Sequence, residues 1–315
     1  MNYKQEIKKN FLSLRTLFSF FIALVIICIL LLNINFLEII NIIKRVYLFY
    51  YLVAFLLFYI AIIIRNFRWQ LQLKNIGYLV PYFKLFRILM VSYFTNCIIP
   101  AKLGDFMRGY MIRKRYKGSF TKTMGSVFTE RLIDIILLVA MLTISGSILF
   151  GKKLNKDLIF ALIVGYIIIL ILFIFLFILR IRTKFVKYIP KKIMLIIDQA
   201  EEGIIGSIKK KNFTLILLYS VLIWLCEITS LYFIFISLEL NISYFLSVFI
   251  ALSAALLTAI PITPGGLGAV ESAIVGILIM FSIDKNIGIS TAILQRFINY
   301  ISVLILGGFI ALFGE

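Results

Sequence analysis

Two clusters of charged and amide side chains lie within long apolar stretches of the chain. In each cluster an arginine directly follows the first member, and the last member lies four residues after the first. The clusters are Glu130, Arg131 and Asp134, and Gln295, Arg296 and Asn299. A guanidinium group can bind a phosphate or a carboxylate through two parallel hydrogen bonds. Anion binding is therefore the chemistry that these clusters favour.

The same arginines could instead be neutralised by carboxylates of their own chain. Arg131 lies three residues from Asp134, which is close enough to pair along a helix, and Arg296 could pair with Glu271 or Glu227. A charge at the centre of a bilayer costs about 2.5–3.5 kcal/mol on insertion scales, so it needs a partner or a functional reason. The sequence leaves both interpretations open.

A motif that contains proline and glycine precedes each cluster at nearly the same distance. Pro100 and Gly104 are four residues apart, as are Pro264 and Gly268, and the clusters follow after 26 (130 − 104) and 27 (295 − 268) residues. Each motif predicts a broken helix, whose free N–H groups and positive dipole end favour an anion. The glycines could equally serve only tight turns and close packing. The candidate binding residues in the two motifs are Gly104, Arg108, Gly265, Gly266, Gly268 and Glu271.

The elements that carry these residues are apolar enough to cross a membrane. Hydrophobic residues make up 63% of the chain and the mean hydropathy is +1.08, whereas soluble domains are about 45–50% apolar. Runs of about 17–25 apolar residues cross a hydrocarbon core of about 30 Å. Six full spans are predicted, at residues 16–32, 46–64, 123–149, 158–179, 213–237 and 287–313.

Two further apolar stretches are interrupted by the motifs. Residues 85–99 run into Pro100, and residues 244–260 run into the second motif, after which residues 269–282 are apolar again. Each stretch predicts a re-entrant hairpin made of a half-membrane helix, a break and a second half-helix. The alternative is a kinked complete helix followed by a long loop.

The net charge of +19 is concentrated in short segments beside the apolar stretches. Cytoplasmic loops of membrane proteins are rich in Lys and Arg, so both termini and the basic segments 65–122 and 180–211 are predicted to be cytoplasmic. This distribution explains the charge without nucleic-acid binding. Residues 180–212 also predict an amphipathic helix at the membrane interface, and a soluble cytoplasmic helix packed on loops is the alternative.

This topology has a consequence for the repeated motifs. The helix with Arg131 would run outward and the helix with Arg296 would run inward, so the two copies are predicted to be inverted. The chain is therefore expected to be a single all-α polytopic membrane domain, 1–315, whose inverted units cover approximately 46–149 and 213–313.

Several classes of chemistry are excluded by composition. The chain has no histidine, and its three cysteines are isolated in apolar stretches, so imidazole catalysis and His-ligated metal sites are absent. No Walker loop is present, so ATP hydrolysis is not expected. We expect a protein that is not an enzyme and that holds no metal and no cofactor.

Three segments, 96–108, 130–134 and 264–271, resemble the flippase-like transmembrane domain of bacterial lysylphosphatidylglycerol synthases and its stand-alone relatives. The resemblance implies a multi-pass domain of the prokaryotic plasma membrane that moves or holds a lipid with an anionic head group. The full synthases also have a soluble domain that attaches the amino acid. This chain ends at Glu315 without one, so aminoacyl transfer is not expected.

The expected function is that of a lipid translocase, either a flippase or a scramblase, without an ATPase of its own. The lipid would be an anionic phospholipid or a polyprenyl-phosphate-linked lipid, whose phosphate would meet Arg131, Arg296 and the broken helix ends in a central polar cavity. The alternatives are a secondary transporter of a small anionic solute and a non-transporting membrane subunit of a lipid or glycolipid synthesis pathway. Membrane lipids are the expected partners, with self-association or a lipid-modifying enzyme as further options, and nucleic acid is not one.

Overall fold

A computed structural model describes residues 14–30, 35–100, 102–151, 190–259 and 263–313, together with isolated helical positions between 163 and 174. All regular structure in these residues is helical, so the all-α fold class is confirmed. The helices are α1 (Leu14–Leu30), α2 (Phe36–Lys44), α3 (Leu48–Asn75), α4 (Tyr82–Ile98), α5 (Leu103–Tyr116), α6 (Phe120–Phe150), α7 (Lys191–Ser207), α8 (Lys210–Ser237), α9 (Tyr244–Ala259), α10 (Ala269–Met280), α11 (Lys285–Arg296) and α12 (Ser302–Phe313).

Four helical stretches in the described residues are long and apolar enough to cross a membrane: Leu48–Asn75, Phe120–Phe150, Lys211–Ser237 and Lys285–Phe313. The last one joins α11 to α12 through a π-helical turn, Phe297–Ile301. They correspond to four of the six predicted spans. At the first predicted span lies α1, a helix of 17 residues, and the predicted span 158–179 falls outside the described residues except at isolated positions. The protein is a multi-pass membrane protein.

Helix α3 extends farther than the sequence analysis predicted. The predicted span ends at residue 64, because the charge pattern places Arg65 and Arg68 in a basic cytoplasmic segment. The helix instead continues to Asn75, and Arg68 is fully buried. No proline or glycine occurs within α3, so nothing in the local sequence stops it before Gly77, which has a φ of +91°.

Both predicted helix breaks are present. Helix α4 ends at Ile98 and α5 begins at Leu103, while α9 ends at Ala259 and α10 begins at Ala269. A 3-10 turn, Pro264–Gly266, lies inside the second break. Three glycines of this break, Gly265, Gly266 and Gly268, have φ values of +56°, +69° and +84°. Residues with a Cβ atom rarely adopt such angles. Entry of the two hairpins into the membrane stays a prediction.

The contacts divide the chain into two compact units that alternate along the sequence. The first unit comprises Met1–Ala61, Leu89–Met107 and Leu225–Glu315, and the second comprises Ile62–Ile88 and Arg108–Trp224. Both helix breaks lie in the first unit. The predicted symmetry between residues 46–149 and 213–313 stays a prediction.

The predicted amphipathic helix corresponds to α7, which follows Pro190. It packs closely against α6 in the second unit, because Gly125 and Gly203 bring the two backbones together. Ile204 is buried in this contact, whereas Ile193 is 49% exposed. One face of α7 is thus used against α6, and its place at the membrane interface is a proposal. Residues 180–189 of the prediction lie outside the described residues.

Candidate functional site

The second unit contains a buried network of three arginines and two carboxylates. Arg68 donates from Nη1 to Asp134 Oδ1 at 2.6 Å and from Nη2 to Asp134 Oδ2 at 3.1 Å. Its Nη2 also lies 3.0 Å from Glu130 Oε1, and Arg108 Nη2 donates to Glu130 Oε2 at 2.7 Å. Arg65 Nη1 lies 3.9 Å from Asp134 Oδ2. All five side chains are at most 9% exposed, so water screens these charges little.

Helix geometry places these five side chains together. Arg65 and Arg68 are three residues apart on α3, and Glu130 and Asp134 are four apart on α6, so each pair shares one helix face. A third helix contributes Ser220, whose Oγ accepts from Arg68 Nη1 at 2.7 Å. The network therefore ties α3, α6 and α8 together. From α5, the Arg108 guanidinium lies 3.9 Å from the centre of the Trp69 ring, within the range of a cation–π contact.

The structure adds Arg68 to the candidates that the sequence analysis identified. One of the two interpretations that the sequence leaves open pairs Asp134 with Arg131; the structure shows two hydrogen bonds to Asp134 from Arg68, a partner that the sequence did not suggest. Arg131 is half-buried on α6. The signal that could have found the network is the spacing of Arg65, Arg68 and Gln72, which puts three polar side chains on one face of a helix with no breaker in it.

In the first unit, Arg296 closes the second helix break. Its Nη1 donates to the Gly265 carbonyl at 2.9 Å and its Nη2 to the Gly266 carbonyl at 2.6 Å. Its Nε donates to Glu271 Oε1 at 2.8 Å, and Nη2 donates to Glu271 Oε2 at 3.0 Å. A guanidinium has five N–H donors, so four of them are used by the chain itself. The structure favours the alternative in which Arg296 pairs with Glu271.

The corresponding glycines of the two motifs have similar hydrogen bonds. Gly104 donates its backbone N–H to Asn96 Oδ1 at 2.8 Å, and Gly268 donates its own to Glu271 Oε2 at 2.8 Å. Asn96 Nδ2 donates in turn to Asp105 Oδ1 at 3.3 Å. The amino termini of α5 and α10 therefore already have acceptors from the chain. This arrangement favours a turning and packing role for these glycines over the predicted anion binding.

Tyr300 connects the two breaks. Its hydroxyl donates to the carbonyl oxygen of Cys97 at 2.8 Å, next to the end of α4. A Cβ atom added to Gly265 would lie 2.5 Å from the Tyr300 ring and 3.7 Å from the Cα of Cys97. Tyr300 follows Lys285 by 15 residues (300 − 285) and precedes Phe313 by 13 (313 − 300) in the candidate span Lys285–Phe313. The two breaks thus meet halfway along a helix that is long enough to cross the membrane.

Two amides of the second cluster lie beside these residues in the sequence. Gln295 is buried, and its Oε1 has no hydrogen-bond partner within the described parts of the chain. Asn299 is half-buried in the π-helical turn. The predicted site residues therefore divide between the two units: the first contains Gly104, Gly265, Gly266, Gly268, Glu271, Gln295, Arg296 and Asn299, and the second contains Arg108, Glu130, Arg131 and Asp134.

Comparison with known proteins shows which family the chain resembles. A family model described as the lysylphosphatidylglycerol synthase TM region matches residues 16–307. A UPF0104 membrane protein of Methanocaldococcus jannaschii is 36% identical over 214 residues, which cover 68% of this chain and 91% of the relative. A UPF0104 membrane protein of Pyrococcus horikoshii is 23% identical over 289 residues, which cover 83% and 86%.

The match to the family includes every feature of the site. Residues 16–307 contain both helix breaks, both arginine clusters and the π-helical turn with Tyr300. The resemblance that was noted from three short segments is thereby confirmed over nearly the whole chain. This protein belongs to the family of the lysylphosphatidylglycerol synthase transmembrane region.

Proposed function

We propose that this protein is a lipid translocase of the prokaryotic plasma membrane that moves a lipid with an anionic, phosphate-containing head group and has no ATPase of its own. The observation that carries the proposal is the meeting of two helix breaks at Tyr300, halfway along a candidate membrane span.

Broken helices at this depth are typical of transporters. Non-helical backbone is tolerated inside a membrane only where protein or water satisfies its polar groups. Here the chain supplies such partners, because Arg296 binds two carbonyl groups of one break and Asn96 binds a backbone N–H beside the other. Transporters place such breaks near the midplane, where substrate groups bind and helix pairs rock against each other. The lipid tails would stay in the bilayer while the head group crosses.

The class of lipid is supported by the family. Its description names a synthase of lysylphosphatidylglycerol, which is a phospholipid. A phospholipid is therefore the substrate class that we propose for this chain.

Reconstitution into liposomes tests the proposal. Labelled phosphatidylglycerol in the inner leaflet should become accessible to an impermeant quencher faster in vesicles with the protein than in protein-free vesicles. Labelled phosphatidylcholine, which has no net charge, should move more slowly. Equal rates with and without protein would contradict translocation of this lipid.

A matched pair of glycine variants links this movement to the breaks. Gly265→Ala puts a methyl group against the Tyr300 ring at a φ of +56°, whereas Gly276→Ala on α10 meets nothing within 4 Å. We expect Gly265→Ala to slow lipid movement about tenfold or more, because the break can no longer adopt its shape. Gly276→Ala should match the unaltered protein.

One observation favours a second candidate function, that of a non-transporting membrane subunit. Arg296 uses four of its five donors on its own chain, as expected of an arginine that only maintains the fold. This candidate predicts no lipid movement above that of protein-free vesicles from folded protein. It also predicts that Gly265→Ala and Gly276→Ala behave alike in the liposome assay.

A further inference from the structure

Several buried N–H donors of the second unit have no hydrogen-bond partner within the part of the chain that the structure describes. Five of them belong to Arg108 and to three residues of α3: Arg108 Nε and Nη1, Arg68 Nε, Trp69 Nε1 and Gln72 Nε2; a further one is Trp224 Nε1 on α8. The side chains of Arg108, Arg68, Trp69 and Gln72 are 0% exposed. A buried donor without an acceptor is destabilising, and a charged donor is more so. Five such donors in one cluster indicate that acceptors are missing.

Three of these donors belong to guanidinium groups, Arg108 Nε and Nη1 and Arg68 Nε. Hydrogen bonds from a guanidinium group to an anionic oxygen are shorter and stronger than those between neutral groups. A ligand with several anionic acceptor oxygens would therefore supply the missing partners.

The residues that carry these five donors lie close together. Arg68, Trp69 and Gln72 follow one another within five residues of α3, and Arg108 lies against the Trp69 ring. Glu130 holds Arg108 through Nη2 only, so Nε and Nη1 stay open. Gln72 Oε1 likewise has no donor among the described residues, which suits a hydroxyl or amine group beside the anion.

We propose that Arg108, Arg68, Trp69 and Gln72 form an internal binding site for a phosphate diester, the group that links the two halves of a phospholipid head. The assignment to a lipid rests on the proposed translocase function. A phosphate diester carries one negative charge and offers oxygens to several donors, so it matches the cluster. Glu130 and Asp134 are positioning residues, because they hold the two guanidinium groups. Entry to the site requires the packed helices to part, which is a motion that a translocase needs.

Trp69 makes the site visible by fluorescence. The chain has two tryptophans, so Trp224→Phe leaves Trp69 as the single reporter. The full-length Trp224→Phe protein in detergent is titrated with dihexanoyl phosphatidylglycerol, with inorganic phosphate, and with sodium chloride at equal ionic strength. We expect a saturable change in Trp69 emission with the two phosphate ligands and none with chloride, and tighter binding of the lipid. Tighter binding of inorganic phosphate would overturn the lipid assignment.

Two sets of variants in the Trp224→Phe background locate the ligand. The double variant Arg108→Gln/Glu130→Gln removes an ion pair together and so keeps the local charge balance; it should weaken lipid binding about tenfold or more. Gln72→Leu should weaken it about threefold. Gln70→Leu is the matched control, because Gln70 lies on the same helix and donates to the Val80 carbonyl outside the cluster; it should leave binding unchanged.

The Gln72 variant also separates binding from a merely structural role. If the cluster only maintains the fold, Trp69 emission does not respond to the lipid. Gln72→Leu then raises the thermal unfolding midpoint, because it removes two buried atoms that have no hydrogen-bond partner. That result, or the absence of a saturable response in Trp224→Phe, would overturn the site. Lipid movement that persists in the double variant would overturn the site but not the translocase. Binding without lipid movement would overturn the translocase and leave a phosphate site.

Discussion

Arginines in the two units are held by different kinds of partner. Arg68 binds two carboxylates and a serine from other helices, whereas Arg296 binds one carboxylate and two backbone carbonyls of a helix break. Those carbonyls are free to accept only because the helix is interrupted there. Arg296 therefore stabilises a local backbone shape, and Arg68 stabilises the association of helices.

The pairing of Arg296 with Glu271 can be measured with a double-mutant cycle. Arg296→Gln should lower stability by about 2–4 kcal/mol, because it leaves the Glu271 carboxylate and two carbonyls without their donor. The double variant Arg296→Gln/Glu271→Gln should lose less unfolding free energy than Arg296→Gln and Glu271→Gln lose in total. Unfolding midpoints in detergent provide the measurement. Strict additivity would show that the two side chains are not coupled.

Arg68 and Arg65 differ in how closely they hold Asp134, and their lysine variants should differ accordingly. Arg68→Lys removes a guanidinium group that donates two hydrogen bonds to Asp134 and one to Ser220. We therefore expect the free energy of unfolding to fall by about 2–4 kcal/mol. Arg65→Lys is the comparison one turn away, where the distance to Asp134 is 3.9 Å; it should cost less than Arg68→Lys, because no two-point hydrogen bond to Asp134 is lost. Equal losses in thermal unfolding would contradict the network.

Sequence reasoning found Arg108, Glu130 and Asp134 but missed Arg68 as their partner. The reason is that Lys and Arg at the end of an apolar run usually mark a cytoplasmic loop. Arg68 is buried because carboxylates of α6, 62 and 66 residues away (130 − 68 and 134 − 68), compensate its charge. No local pattern contains that information.

At the scale of elements, the helix breaks were predictable and the helix lengths were not. Proline and glycine act on the backbone of their own and adjacent residues, so the breaks after Ile98 and Ala259 could be read from the sequence. The continuation of α3 to Asn75 depends on what its last turns pack against. The contact of α7 with α6 depends on tertiary packing in the same way.

The packing of α7 on α6 depends on the absence of a side chain at Gly203. A Cβ atom there would lie 2.1 Å from the backbone oxygen of Lys122, so Gly203→Ala should force the helices apart and lower stability by about 1–3 kcal/mol. Trypsin should then cleave α7 faster. Gly206→Ala on the same helix is the control, because its Cβ would meet side-chain carbons of Ile76 at 3.2 Å and of Glu202 at 3.9 Å, and no backbone atom of another helix. Equal protease resistance of the two variants would contradict the packing role.

For the molecule as a whole, the contacts that build the first unit join residues far apart in the sequence. Tyr300 and Cys97, which connect the two breaks, are separated by 203 positions. Periodicity and charge placement act over one or two spans, so they predicted membrane helices and an orientation for each. The expected function places both broken helix ends in one cavity, but no periodicity or charge pattern identifies Tyr300 as the residue that connects them.

The inverted relation of the two hairpins is a prediction about the whole molecule that labelling can decide. With the predicted topology, the first hairpin opens toward the cytoplasm near Arg115 and the second opens toward the exterior near Asn241, and both residues are exposed. Single cysteines at these two positions, in a background with the three natural cysteines replaced by alanine, are treated with an impermeant maleimide on intact cells. Asn241→Cys should react at once and Arg115→Cys only after permeabilisation, because charge placement puts the basic segment inside. Since two hairpins of the same orientation would expose both cysteines to the same side, reaction of both before permeabilisation, or of neither, would disprove the inversion.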